Sequence, residues 1–151
     1  MTTSLLAQFF YAGLATFGFT IIFRVPKSDI FVCSLIGALG WLTYQLAAGY
    51  GFTAVMACFL GACTVALLSD IFSKLLKDAS TIFIIPGIMP LVPGAGMYRM
   101  MLELINNDMS GFATEATQTL LSAGAIAVGL LVMGSLLKMI RMAGKKIRAA
   151  F

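Results

Sequence analysis

The sequence predicts an all-α integral membrane protein with five transmembrane helices, the fourth broken by proline and glycine, on three observations. The composition is too apolar to cover a soluble surface. Of 151 residues, 60% are hydrophobic and 11% charged, with a mean hydropathy of +1.00, where a soluble domain is roughly a quarter charged. The apolar residues gather in five runs, each close to the ~20 residues that a spanning helix requires. The basic residues fall between those runs in an alternating pattern. The expectation is a single membrane domain over residues 1–151.

The first span, residues 4–23, holds no charge and stops at Arg24-Val25-Pro26-Lys27. No basic stretch precedes it and no small-residue cleavage signal follows, so it reads as a retained helix rather than a signal peptide. The second, residues 30–48, is also uncharged and closes at Gly49-Tyr50-Gly51. The third, residues 52–72, contains one charge, Asp70, near its end. The fourth covers 82–105 and the fifth 117–140, followed by a basic tail over 141–151.

The charges predict an orientation. Arg24 and Lys27 follow span one, Lys74 and Lys77 follow span three, and Lys138, Arg141, Lys145, Lys146 and Arg148 close span five. The two other connections carry no lysine or arginine. By the positive-inside rule the N-terminus lies outside and the C-terminus in the cytoplasm. Asp108 and Glu115 then fall on the outer side as solvated charges. The basic tail reads as an anchor to anionic lipid, not as a nucleic-acid patch.

Several features need no more than packing. Cys33, Cys58 and Cys63 sit in apolar runs, the chain has no histidine, and no metal or cofactor site is expected. Gly37 and Gly40, Ala57 and Gly61, and Gly124, Gly129 and Gly134 are the small residues by which helices approach in lipid. Tyr44, Tyr50 and Phe52 suit an interfacial belt. Trp41 shares a face with Gly37 and Gln45 and reads as core, with a cavity wall as the alternative. The methionines around Arg99 read as gap fillers.

The fourth span is different. Within "IPGIMPLVPGAGMYRMMLEL", Pro86, Pro90 and Pro93 share one helical face, and Gly87, Gly94 and Gly96 accompany them. Each proline removes a ladder hydrogen bond. The span is expected to unwind over Pro93–Gly96, with a new helix starting near Met97. Broken backbone at membrane depth is tolerated only inside protein or beside a watery cavity. In transporters such half-helices aim their positive N-termini at anionic substrate groups. Arg99 lies in that first turn, where a charge within a span needs a partner, and Glu103 at i+4 is the one expected. Pro93, Gly94, Gly96, Tyr98 and Arg99 are therefore the candidate binding residues for a carboxylate-bearing metabolite. Glu103 and Asp70 are the ion-coupling or ion-pair candidates, with Asp70 expected to pair with Lys74. A kinked structural span with an internal ion pair is the competing account.

"GFTIIFRVPKSDIFVCSLIGALGW" (18–41) and "IPGIMPLVPGAGMYRMM" (85–101) resemble the threonine/serine exporter family, in particular the small membrane subunit of its two-component members. The matching motifs are Val25–Pro26, Gly37 with Gly40, and Ile85–Pro86, Pro93–Gly94 and Tyr98. The resemblance implies a proton-driven inner-membrane exporter of threonine and serine or of succinate-like dicarboxylates. It also implies a larger membrane subunit carrying a cytoplasmic domain, with a homo-oligomer as the alternative. Arg99 rests on the argument from burial and not on these motifs.

Two other functions compete: a scaffold that positions a transporting partner, and an oligomeric channel lined by Thr43, Gln45 and Arg99. No intramembrane catalytic constellation is present, since there is no histidine, serine–lysine pair or matched carboxylate pair.

Overall fold

A computed structural model describes residues 4–149, with side chains to residue 142. Six α-helices and one 3-10 turn follow in order: α1 (Leu5–Ile22), α2 (Ile30–Gly49), α3 (Ala54–Leu76), α4 (Ser80–Ile88), the turn Met89–Leu91, α5 (Gly94–Ile105) and α6 (Met109–Ala149). Helices α1, α2, α3 and α6 are each long and apolar enough to cross a bilayer. The fourth span is a broken pair, Ser80–Leu91 and Gly94–Ile105, bent by 48°. Four whole helices and one broken one make up the five expected spans.

The break falls earlier than the sequence suggests. α5 already begins at Gly94, so the irregular backbone is Met89–Pro93 and not Pro93–Gly96. Pro86 sits inside α4. The carbonyls that the three prolines strip of their ladder donors all find others. The Cys33 thiol donates to the Ile82 carbonyl at 3.5 Å, the Met89 N–H to that of Pro86, and the Val92 N–H to that of Met89 at 3.3 Å. Tightened i→i+3 bonds and one thiol from α2 thus replace the lost ladder, as a buried break requires.

Helix α6 also departs from expectation. The stretch read as a loop before residue 117 forms its first turns. The Asp108 carboxylate caps them, accepting from the Ser110 and Gly111 N–H groups, each at 3.0 Å. Thr114 and Thr117 hydroxyls bond back to carbonyls one turn earlier. At 41 residues and ~1.5 Å of rise each, the helix is ~60 Å long, about twice the hydrocarbon thickness. The side chains of the basic tail beyond Met142 lie outside the described residues.

The core joins α2, α3, α4 and α6 through Cys33, Ile36, Cys58, Ala62, Val65, Phe83, Leu91 and Ile126. Leu91, at the break, fits between α2 and α3 because Gly40 and Gly61 leave room. A Cβ at Gly61 would stand 2.9 Å from its Cδ2.

Arg24, Lys74 and Arg141 collect at one end. Asp70, near the end of α3, pairs there with Lys74 at 2.6 Å and with Arg141 of α6. The α1–α2 connection, with Arg24, lies against the start of α4 around a cavity of about 320 Å³. The expected Asp70–Lys74 pair is present, and Arg141 is a second cation that i+4 spacing does not reveal.

Candidate functional site

The opposite end holds a cavity of about 400 Å³, within the size range of ligand pockets. The break forms its floor, at Pro90 and Leu91. Trp41 and Tyr44 of α2 form one wall, with rings stacked at 5.0 Å. Ala54 and Cys58 of α3 form a second, and Glu115, Gln118, Thr119 and Ser122 of α6 a third. The start of α5, Pro93–Gly96, closes the ring, and Arg99 stands above it.

Each wall follows from local sequence. Glu115, Gln118, Thr119 and Ser122 are spaced i, i+3, i+4, i+7, one face of a helix. Thr119 and Ser122 are buried, 7% exposed each, and Thr119 sits against Gly96 of α5. α5 starts with no side-chain cap, and its first ladder bond is Met97 N–H to the Pro93 carbonyl, at 3.1 Å. The Ala95 and Gly96 N–H groups therefore precede the ladder, at the positive end of the helix dipole. Gly96 is required by contact: a Cβ there would collide with Thr119 Oγ1.

Arg99 donates from Nε to Glu115 Oε2 at 3.0 Å, with side chains 57% and 31% exposed. Two expectations change. The partner of Arg99 is Glu115 across the hairpin, not Glu103 along its own helix, and Glu115 is not merely a solvated charge. Arg99 lies on the second half of the broken span. The 48° bend sends α5 out along α6, and Arg99 shares its cavity with Ala54, the first residue of α3.

The other candidates separate. Pro93, Gly94, Gly96 and Arg99 all line the cavity. Tyr98 does not: one residue off the Arg99 face, it is 69% exposed. Glu103 lies higher on the hairpin, where a Cβ at Gly111 would come within 3.2 Å of its carboxyl carbon. Asp70 belongs to the basic end, twelve residues along α3 from Cys58, or ~18 Å at the helical rise.

Sequence reasoning passed over Glu115, Gln118, Thr119 and Ser122, although their helical spacing was available. Trp41 meets both readings given to it: it packs against the core cluster and forms a wall of the cavity. With Pro90 it also borders a second cavity of about 470 Å³ beside α1, lined by Gln8, Tyr11 and Gln45.

Among known proteins, an uncharacterized protein of Haemophilus influenzae is 26% identical over 140 residues, covering 87% of this chain and 47% of the relative. The chain thus spans about half the length of that relative. No solved structure matches it. The family model described as "Threonine/Serine exporter, ThrE" matches residues 8–136, nearly the whole membrane bundle, and the chain belongs to the threonine/serine exporter family.

Proposed function

We propose that the chain forms the substrate path of a proton-driven exporter of small zwitterionic hydroxy amino acids in the cytoplasmic membrane. It works with a second membrane subunit or a second copy of itself. The observation that carries the substrate class is the Arg99–Glu115 pair at the cavity rim. A zwitterion exchanges its own two charges for that pair: its carboxylate takes Arg99 and the α5 N-terminus, and its ammonium takes Glu115. Buried hydroxyls at Thr119 and Ser122 suit a hydroxylated side chain. A dicarboxylate would bring a second negative charge against Glu115, with no further cation in the lining. This favours threonine and serine over succinate.

The test is efflux from proteoliposomes loaded in parallel with labelled threonine, serine and succinate. The expected outcome is movement of the two amino acids and not of succinate. Arg99→Gln and Glu115→Gln should each slow amino-acid efflux by about tenfold or more, as expected for loss of a hydrogen bond to a charge, with insertion unchanged. Succinate efflux that Glu115→Gln leaves intact would reverse the assignment.

A further inference from the structure

A groove of about 700 Å³ runs along the open side of the bundle between α1 and α2. Its floor lies where the two helices meet: a Cβ at Gly13 would stand 3.5 Å from that of Ala38. Its walls are bulky side chains that stand clear of the fold. Phe10, Leu14 and Phe17 on α1 and Phe31 on α2 are 44% to 78% exposed. Along α2 the groove extends from Ile30 to Ala38, ~12 Å at the helical rise and within the ~15 Å of one leaflet. At the basic end Lys27 borders it. That side chain is exposed and joins none of the ion pairs among the described residues.

We propose that this groove is a binding site for one anionic phospholipid of the leaflet at the basic end. One acyl chain lies along the floor between the phenylalanine walls, and the headgroup phosphate meets the Lys27 ammonium. The site stands apart from the Arg99–Glu115 cavity and does not depend on what that cavity carries.

Depth and charge place the headgroup. A chain lying in the groove reaches the membrane surface where Lys27 stands. The lysine stem can lie along that chain while its ammonium meets the phosphate. Any surface lysine attracts anionic lipid weakly. Lys27 differs in standing at the mouth of a gap that holds the chain, so both parts of the lipid are bound at once. Two other charges belong to the same connection, and neither enters the groove. Arg24 borders the cavity against α4, and Asp29 is fully buried and lines none of the groove. The lining also favours a lipid over a second protein helix. Helices associate in lipid through small residues that let backbones approach and through polar groups that bond across. Here the phenylalanine walls hold a second backbone away from Gly13. The one hydroxyl of the lining, Ser34, already donates to the Ile30 carbonyl at 2.8 Å. An acyl chain needs neither a close backbone approach nor a hydrogen bond.

The test is native mass spectrometry of the full chain in detergent, after exposure to equal amounts of dioleoyl phosphatidylglycerol and dioleoyl phosphatidylcholine. The wild type should retain one phosphatidylglycerol per chain, preferred over phosphatidylcholine by about fivefold, the effect of one lysine at the membrane surface. Lys27→Gln should abolish that preference. Lys77→Gln, exposed at the same end and outside the groove, should leave it within about twofold of the wild type. Ser34→Trp fills the gap and should lower retention of both lipids. A preference that survives in Lys27→Gln, or that Lys77→Gln removes equally, overturns the proposal. So does retention that Ser34→Trp leaves unchanged. Dimers in place of retained lipid, dissociated by Ser34→Trp, would also overturn it and mean that a second copy covers the groove. If Ser34→Trp does not fold, Phe31→Ala removes one exposed wall and takes its place, with undiminished retention as the adverse result.

Discussion

Gly96 and Thr119 meet where α5 begins, and their contact fixes the mouth of the cavity. A methyl group at Gly96 collides with Thr119 Oγ1, whereas one at Gly94 meets nothing within 4 Å. Gly96→Ala should therefore cost about 1–3 kcal/mol through overpacking and slow threonine efflux, while Gly94→Ala should do neither. Adding Thr119→Ala removes the colliding atom and should restore most of the loss. Melting in detergent and efflux from vesicles, read on all three variants, check this. Equal loss from both glycines would mean that backbone freedom matters here and contact does not. At this scale the sequence was only partly legible. Arg99 stood out because a charge in an apolar run is conspicuous, but its partner did not. Glu115 lies sixteen residues away, and only the bend brings α5 alongside α6. The companions Gln118, Thr119 and Ser122 look ordinary until a helix places them on one face.

Between whole elements, the broken span survives because each carbonyl freed by proline is taken up again. The Cys33–Ile82 contact is the one such repair that comes from another helix. Cys33→Ala should leave the Ile82 carbonyl without its donor and destabilise the bundle by about 1–3 kcal/mol. Cys33→Ser, which keeps a donor of similar size, should retain most of the stability. The comparison is a melting curve for each, and equal stability of the two variants would reduce Cys33 to a packing residue. A second prediction concerns the start of α6. The Gly111 N–H and then the Ser110 hydroxyl and N–H hold the Asp108 carboxyl below its ordinary value of 3.8. A carboxyl lowered on folding stabilises the fold above its unfolded value and loses that contribution as pH falls through the lowered one. Protection of the Ser110 and Gly111 amides, measured against the unprotected rate at the same pH, should fall as the pH drops below about 4. Asp108→Asn, still a good cap, should abolish that pH dependence. Hydropathy located the spans but not the helix ends, since a helix that continues into polar surroundings leaves no hydropathy signal. The proline cluster announced a break, but its exact position depended on which freed carbonyls found donors.

For the whole molecule, the fold makes the charge alternation a matter of geometry. Arg24, Lys74 and Arg141 come from three separate parts of the chain and arrive at one end, with the cavity at the other. If that end is cytoplasmic, as the positive-inside rule requires, the Arg99–Glu115 rim faces outward and the cavity is where substrate leaves. Cysteine labelling tests this directly. Ser110, at the start of α6, and Ser28, beside Asp29, are both exposed. Of the native thiols, Cys33 and Cys58 are buried and only Cys63 is partly accessible. In a Cys63→Ser background on intact cells, Ser110→Cys should react with an impermeant maleimide. Ser28→Cys should react only after the membrane is opened. The reverse pattern would turn the molecule over. The cavity would then be the point of cytoplasmic entry.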